Sequence, residues 1–95
     1  MFRSSITIRA PEDAVTELER FQIALNKSGL SETTSVFLWD QVKMALQQFK
    51  DQMALRHMQM ITADRVFEGK DYRVSITVRQ GQESLMSKII RLIRG

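Results

Sequence analysis

Cysteine is absent from this 95-residue chain, and proline, histidine, tryptophan and tyrosine each occur once. The absence of cysteine excludes disulfides, thiolate metal sites and thiol nucleophiles, and it favours a cytoplasmic location. Also missing are the roughly 20 consecutive apolar residues of a membrane-spanning helix and the apolar stretch of a secretory signal. From the sequence we therefore expect a cytoplasmic protein without membrane contact.

Residue combinations typical of enzymes are missing as well. The single histidine, His57, has no cysteine or nucleophile-elbow serine to act with, and no glycine-rich phosphate loop or metal-ligand spacing is present. The acidic residues between positions 12 and 19 lie where they favour the start of a helix. The sequence predicts a protein that is not an enzyme, with no cofactor, no metal site and no small-molecule substrate.

The overall composition is typical of one globular domain over residues 1–95, since 43% of the residues are hydrophobic and 26% are charged. The net charge is only +3, but residues 1–10 carry +2 and residues 71–95 carry +3, whereas residues 11–30 carry −2. If the two ends of the chain are neighbours in the fold, they form one basic surface. The alternative is that these are ordinary solubilising side chains.

The first half of the chain has the pattern of a strand and two helices. Residues 2–10 alternate between apolar and polar side chains, which is typical of a half-buried strand. A helix follows and ends at Ser28-Gly29. Ser31 is a suitable N-cap for a second helix over residues 32–60, which contain neither proline nor glycine. This segment is either one long helix or one that breaks near residues 52–57.

The second half has the pattern of a hairpin and a helix. Residues 61–67 and 72–79 alternate around a connection with turn chemistry at residues 68–71. The alternation is clean in the second arm and irregular in the first, which allows a β-bulge in the first arm. A final helix is predicted from Gln82 to Arg94, and basic residues on it extend the positive charge of the C-terminal region, namely Lys88, Arg91 and Arg94.

These elements predict an α+β fold, a small antiparallel three-stranded sheet with helices on one face and the order β-α-α-β-β-α. The first strand either joins the hairpin at an edge or pairs with its copy in a second subunit. The second helix has more apolar surface than one small core can bury, so we expect a homo-oligomer. The inner face of the sheet is expected to consist of Ile6, Ile8, Tyr72, Val74, Ile76 and Val78, with Leu18, Phe21, Leu46, Ile89 and Ile93 packed on it.

An internal repeat marks both predicted strands with the same polar residues. Residues 3–9 read Arg-Ser-Ser-Ile-Thr-Ile-Arg and residues 73–79 read Arg-Val-Ser-Ile-Thr-Val-Arg, identical at five of seven positions. Arginine presents a planar fork of donors to phosphate or guanine, and hydroxyls bond phosphates or bases. The repeat therefore predicts nucleic-acid binding, specifically of DNA, unless it is chance similarity on a solvated sheet face. The candidate residues are Arg3, Ser5, Thr7, Arg9, Arg73, Ser75, Thr77 and Arg79.

The strand and helices predicted within residues 5–49 follow a familiar order of motifs. The run Ile6-Thr7-Ile8-Arg9-Ala10-Pro11 is followed by a helix, a turn with glycine and serine, and a second helix. This half of the chain resembles a ribbon-helix-helix DNA-binding domain. The resemblance implies an intertwined dimer with paired strands in the major groove, with Ser5, Thr7 and Arg9 facing bases and the helix start at Ser31 touching phosphate. Residues 61–95 have no counterpart in that family.

A second class of function fits the same composition. The chain has the features of a non-enzymatic structural or interaction module that self-assembles, such as a component of a phage or mobile element. The two classes differ in what they require of the polar residues in the two repeat segments. Nucleic-acid binding requires the polar residues of both segments to lie side by side on a face that no helix covers, whereas an assembly module does not.

Overall fold

The protein is described here by a computed structural model that covers residues 1–56 and 59–81. The predicted last helix, with Lys88, Arg91 and Arg94, lies outside the described residues, as does His57. No helix in the described ranges is long and apolar enough to cross a membrane. The elements are, in chain order, β1 (Phe2–Ile8), α1 (Asp13–Asn26), α2 (Glu32–Leu55), β2 (Ile61–Glu68) and β3 (Tyr72–Gln80).

The fold is α+β, and its three strands form one sheet in the order β1-β3-β2. β2 and β3 form the predicted antiparallel hairpin, but β1 pairs with β3 in parallel. The prediction of a wholly antiparallel sheet is therefore wrong. Of the two alternatives for the first strand, the structure shows β1 joining the hairpin at an edge of the sheet. β1 and β3 therefore run in the same direction, and β2 runs opposite to both.

Both helices pack on one face of this sheet. The sheet contributes alternate β-branched residues of β1 and β3 to the core, and each of these is at most 2% exposed: Ile6, Ile8, Val74, Ile76 and Val78. The helices contribute Phe21, Leu25, Leu38, Val42, Leu46, Phe49 and Met53. Of the other residues predicted to pack here, Leu18 and Tyr72 are partly buried, and Ile89 and Ile93 lie beyond the described part of the chain.

The second helix is continuous for 24 residues and ends at Leu55, within the segment where the sequence allows a break. Ser31 is its N-cap, as predicted, and its side chain accepts a hydrogen bond from the Thr34 backbone N–H at 3.2 Å. Leu38 is fully buried, whereas Val36, two residues earlier, is 54% exposed. The core-facing stripe of α2 therefore begins at Leu38 and continues through Val42, Leu46, Phe49 and Met53, at spacings of three or four residues.

No bulge interrupts the first hairpin arm, because β2 pairs continuously with β3 from Ile61 to Glu68. The irregular alternation has another cause. Arg65 pairs with Ile76 and so lies on the helix side of the sheet, where its guanidinium stacks 5.2 Å from the centre of the Phe49 ring and donates to the Gln48 side chain at 3.1 Å. A charged residue therefore occupies a core-facing position at the edge of the sheet, with its stem covering apolar surface.

The end of α2 is tied to the end of β3 by a buried amide. The Gln80 side chain donates hydrogen bonds to the backbone oxygens of Met53 and Arg56, both at 3.2 Å. The Met53 oxygen belongs to the last turn of α2, where the helix offers few further N–H groups. The Arg56 oxygen, at the C-cap, also accepts from the Gln59 backbone N–H at 3.0 Å. Gln80 thus connects the central strand to the helix layer, which holds the core face closed at this end of the sheet.

Candidate nucleic-acid interface

The two copies of the internal repeat lie side by side. β1 and β3 pair in register, so that Arg3 is opposite Arg73, Ser5 opposite Ser75 and Thr7 opposite Thr77. Neighbouring strands are about 4.8 Å apart, so each pair of identical side chains forms one short row across the two strands. The sequence shows the repeat but not the register in which its two copies pair. This register brings six of the eight candidate residues into three adjacent rows.

The rows point away from the helices. In a strand, successive side chains alternate between faces, and the residues between the rows are the buried ones of the core. Arg3, Ser5, Thr7 and Arg73 are exposed, and Ser75 and Thr77 on the central strand are half-buried. Within the described ranges, both helices pack on the opposite face, which leaves this surface of the sheet uncovered by them. We call this surface the polar face.

The serine row is organised by a direct hydrogen bond. The hydroxyls of Ser5 and Ser75 are 3.1 Å apart, close enough for one to donate to the other. Each hydroxyl has one donor and two acceptor positions, so this bond leaves hydrogen-bonding capacity directed to solvent.

The last two candidate residues lie at the far end of the polar face. Arg79 is exposed and sits opposite Thr62 of β2. Arg9 follows the end of β1 and has no pairing position in the sheet, and its backbone N–H donates to the Asp13 carboxylate at 2.9 Å. Arg9 therefore belongs to the connection into α1, and the structure does not place it in a row with Arg79.

The third strand adds residues to the polar face that the repeat does not reveal. Thr62, Asp64, Val66 and Glu68 of β2 lie opposite polar-face residues of β3 and are exposed. The hairpin pattern is the signal that reveals three of them, because pairing residues 61–67 with 72–79 places Thr62, Asp64 and Val66 beside the repeat, whereas Glu68 lies in the predicted connection. The Glu68 carboxylate lies 3.8 Å from the Arg73 guanidinium.

Charge is divided unevenly across the polar face. The strip formed by β1 and β3 carries the guanidinium groups of Arg3, Arg73 and Arg79 and no acidic residue, whereas β2 carries Asp64 and Glu68. A polyanion is attracted by the first strip and repelled by the second. The interface that suits a polyanion is therefore two strands wide rather than three.

Arg3 also borders a depression at the start of α2. Its lining includes Lys27, Gly29 and Ser31, and its volume is about 570 Å³. The ribbon-helix-helix resemblance implies a phosphate contact at this helix start and a dimer formed through β1. In the described residues β1 lies at one edge of the sheet and pairs with β3 alone. Both implications remain predictions.

No protein-family model, no curated protein and no solved structure matches this chain.

Proposed function

We propose that this protein binds nucleic acid, DNA in particular, through the strip of the polar face formed by β1 and β3, and that it does so without catalysis. The observation that carries the proposal is the in-register pairing of the two repeat segments, which aligns arginine with arginine, serine with serine and threonine with threonine. Packing of the core explains the apolar half of the repeat. It does not require the outward residues to match.

The chemistry of these rows suits a nucleic acid. Arginine binds phosphate with two parallel hydrogen bonds, and serine and threonine hydroxyls bond phosphate oxygens or base edges. An open sheet face with such residues at alternate positions is the arrangement that β-sheet readers of DNA use. The acidic residues of β2 then define the side of the polar face on which the polyanion does not lie.

The direct test is an electrophoretic mobility assay with double-stranded and single-stranded DNA over a salt series. Binding should weaken steeply with salt because each neutralised phosphate releases counterions. The double variant Arg3→Ala/Arg79→Ala should weaken binding and reduce the salt slope by about 2. The matched control is Arg20→Ala/Lys43→Ala, which removes two exposed charges from the helices instead. Absence of binding by the wild-type protein at low salt, or equal losses in both variants, would contradict the proposal.

A second candidate function, self-assembly, is favoured by an apolar stripe on α2. Phe37, Met44 and Leu55 are 48%, 59% and 83% exposed, respectively. Their spacings of seven and eleven residues correspond to two and three helical turns, so they lie along one line of the helix. We propose a second copy of this chain as the occupant of this stripe, with the two α2 helices antiparallel.

The antiparallel arrangement makes the stripe complementary to itself. If the two-fold axis crosses the two helices at the level of residue 46, on the exposed side of α2, Phe37 lies opposite the partner's Leu55, and Met44 lies opposite the partner's Gln48. Sedimentation of the wild-type protein should then show a dimer that the Met44→Lys variant loses. Ile23→Lys is the control, since Ile23 is equally exposed at 57% but lies on α1. A wild-type monomer at high concentration would exclude this mode of assembly.

A further inference from the structure

A depression at one end of the strip formed by β1 and β3 has the features of a phosphate site. Its volume is about 330 Å³, and its lining consists of Arg3, Ser4, Ser5, Arg73 and Ser75. We infer that it binds the phosphate at the end of a nucleic-acid strand, an inference that rests on the proposed function. The phosphates within that strand then follow the strip towards Arg79.

Two arginines of equal charge line this depression. Arg3 and Arg73 are direct partners in the register of β1 and β3, and both are exposed. Like charges that lie directly opposite on neighbouring strands repel each other. Among the described residues Arg3 forms no ion pair, and Arg73 pairs with Glu68 alone, at 3.8 Å. A bound phosphate relieves this repulsion, because it lies between the two guanidinium groups and accepts hydrogen bonds from both.

The serine row adds a third donor group. The hydroxyls of Ser5 and Ser75 are 3.1 Å apart, so one donates to the other and one of the two hydroxyl hydrogens stays available to a ligand. A phosphate within a strand has two unesterified oxygens, whereas a terminal phosphate has three and carries a charge of about −1.5 to −2 at neutral pH. Two guanidinium groups and one hydroxyl therefore match the oxygens of a terminal phosphate.

The surroundings of the depression favour a strand that ends in it. The strip stops here, and beyond it lies the turn with Asp71, which is exposed and borders, together with Arg3, the neighbouring depression at the start of α2. Glu68 lies to the side, on β2. A strand that continued past the depression would bring its next phosphates towards one of these carboxylates, which repel them. In the direction of Arg79, by contrast, the strip carries no acidic residue.

The first experiment compares short DNA duplexes of one sequence that have hydroxyl groups at all ends, a phosphate at each 5′ end, or a phosphate at each 3′ end. One of the phosphorylated duplexes should bind at least about fivefold more tightly than the hydroxyl-ended one, because charge-assisted hydrogen bonds to arginine are strong. The two phosphorylated arms distinguish the two kinds of strand end. A hydroxyl-ended duplex that is one base pair longer is the control for total charge, and its affinity should rise much less.

The outcomes separate this inference from the proposed function. Equal binding of the hydroxyl-ended and both phosphorylated duplexes would overturn the terminal-phosphate site and leave nucleic-acid binding standing. The same holds if the longer control duplex gains as much as the phosphorylated ones. Absence of binding by every duplex at low salt would instead contradict the proposed function itself.

The second experiment locates the gain in the depression. Arg3→Ala/Arg73→Ala should abolish the difference between phosphorylated and hydroxyl-ended duplexes. The matched control is Arg20→Ala/Arg79→Ala, which removes two exposed guanidinium groups outside the depression. It should bind all duplexes more weakly and keep the difference. A first variant that keeps the difference, or a control that loses it, would overturn the assignment.

A third variant tests the hydroxyls without changing any charge. Ser5→Ala/Ser75→Ala leaves both guanidinium groups in place and removes the third donor, so it should reduce the preference for the phosphorylated duplex about twofold to threefold. Circular dichroism of each variant shows whether it is folded, and this variant keeps the test decisive if the arginine variant is not. An unchanged preference in the folded serine variant would exclude the serine row from the site.

Discussion

The two faces of the sheet are built from the same two neighbouring strands and differ in burial and polarity. On the helix face, Ile6 lies beside Ile76 and Ile8 beside Val78, and all four are at most 2% exposed. On the polar face, the same register aligns serine with serine and threonine with threonine. Burial of apolar area supplies most of the stability of a small domain, so the helix face determines whether the chain folds.

This comparison separates the two halves of the repeat. Adjacent strands that pack under the same helices need similar β-branched side chains, so the match between the apolar positions follows from the core. Solvent-exposed positions accept many polar residues at little cost in stability. Core packing therefore does not account for the match between the outward residues. The cross-strand hydrogen bond between Ser5 and Ser75 accounts for one row, and a shared ligand is the further cause that we propose.

The largest expected effect is on the free energy of unfolding. It should differ between substitutions of two neighbouring residues of β3 that point to opposite faces of the sheet. Ile76→Ala removes a buried side chain from the centre of the core and should lower the free energy of unfolding by about 3 kcal/mol. Thr77→Ala, one residue further on the polar face, should change it by no more than about 1 kcal/mol. Urea unfolding of both variants measures the difference. Similar losses would show that the two faces do not differ as the burial indicates.

An intermediate effect is expected where a polar residue lies on the helix face. Gln80→Leu leaves the Met53 carbonyl oxygen without its side-chain donor, whereas the Arg56 oxygen keeps the Gln59 backbone N–H, so the free energy of unfolding should fall by about 1 kcal/mol. Gln22→Leu, at an exposed position of α1, is the control and should cost little. Thermal unfolding of the two variants compares these costs. If Gln80→Leu is neutral, the amide does not hold α2 to β3.

Much of this architecture can be predicted from local pattern. The alternation of β3 and the N-cap at Ser31 specify their own structure, because each depends on a few adjacent residues. The parallel pairing of β1 with β3 does not follow from local pattern, since it depends on the directions of all five elements. Arg65 misleads a prediction for a related reason. Its polarity indicates the outer face of the sheet, yet its register opposite Ile76 places it on the helix side, where it stays exposed and its guanidinium lies over the Phe49 ring.

The sequence predicts which residues form most of the candidate site, but it does not predict how they are arranged. The repeat identifies the arginines, serines and threonines, but only the register shows that identical residues face each other. Arg9 illustrates the limit, because it completes the repeat in sequence and lies beyond the strand in the structure. The acidic residues of β2 lie outside the repeat and enter the site only through their pairing with β3.

The smallest expected effect concerns the boundary between attractive and repulsive parts of the polar face. Asp64 lies opposite Thr77, and a carboxylate about 10 Å from a phosphate in water repels it by about 0.4 kcal/mol. Asp64→Asn should therefore raise the affinity for duplex DNA about twofold at low salt, and the gain should shrink as salt screens the repulsion. The measurement is a titration with labelled duplex at several salt concentrations.

The control for this prediction is Asp40→Asn, which makes the same change of net charge at an exposed position of α2 in the helix layer. An equal gain in both variants would show that total charge, rather than the position of the carboxylate, governs binding. A loss of affinity in Asp64→Asn would mean that the carboxylate takes part in the interface. In that case the ligand would extend over β2, and the boundary drawn between the two strips of the polar face would be wrong.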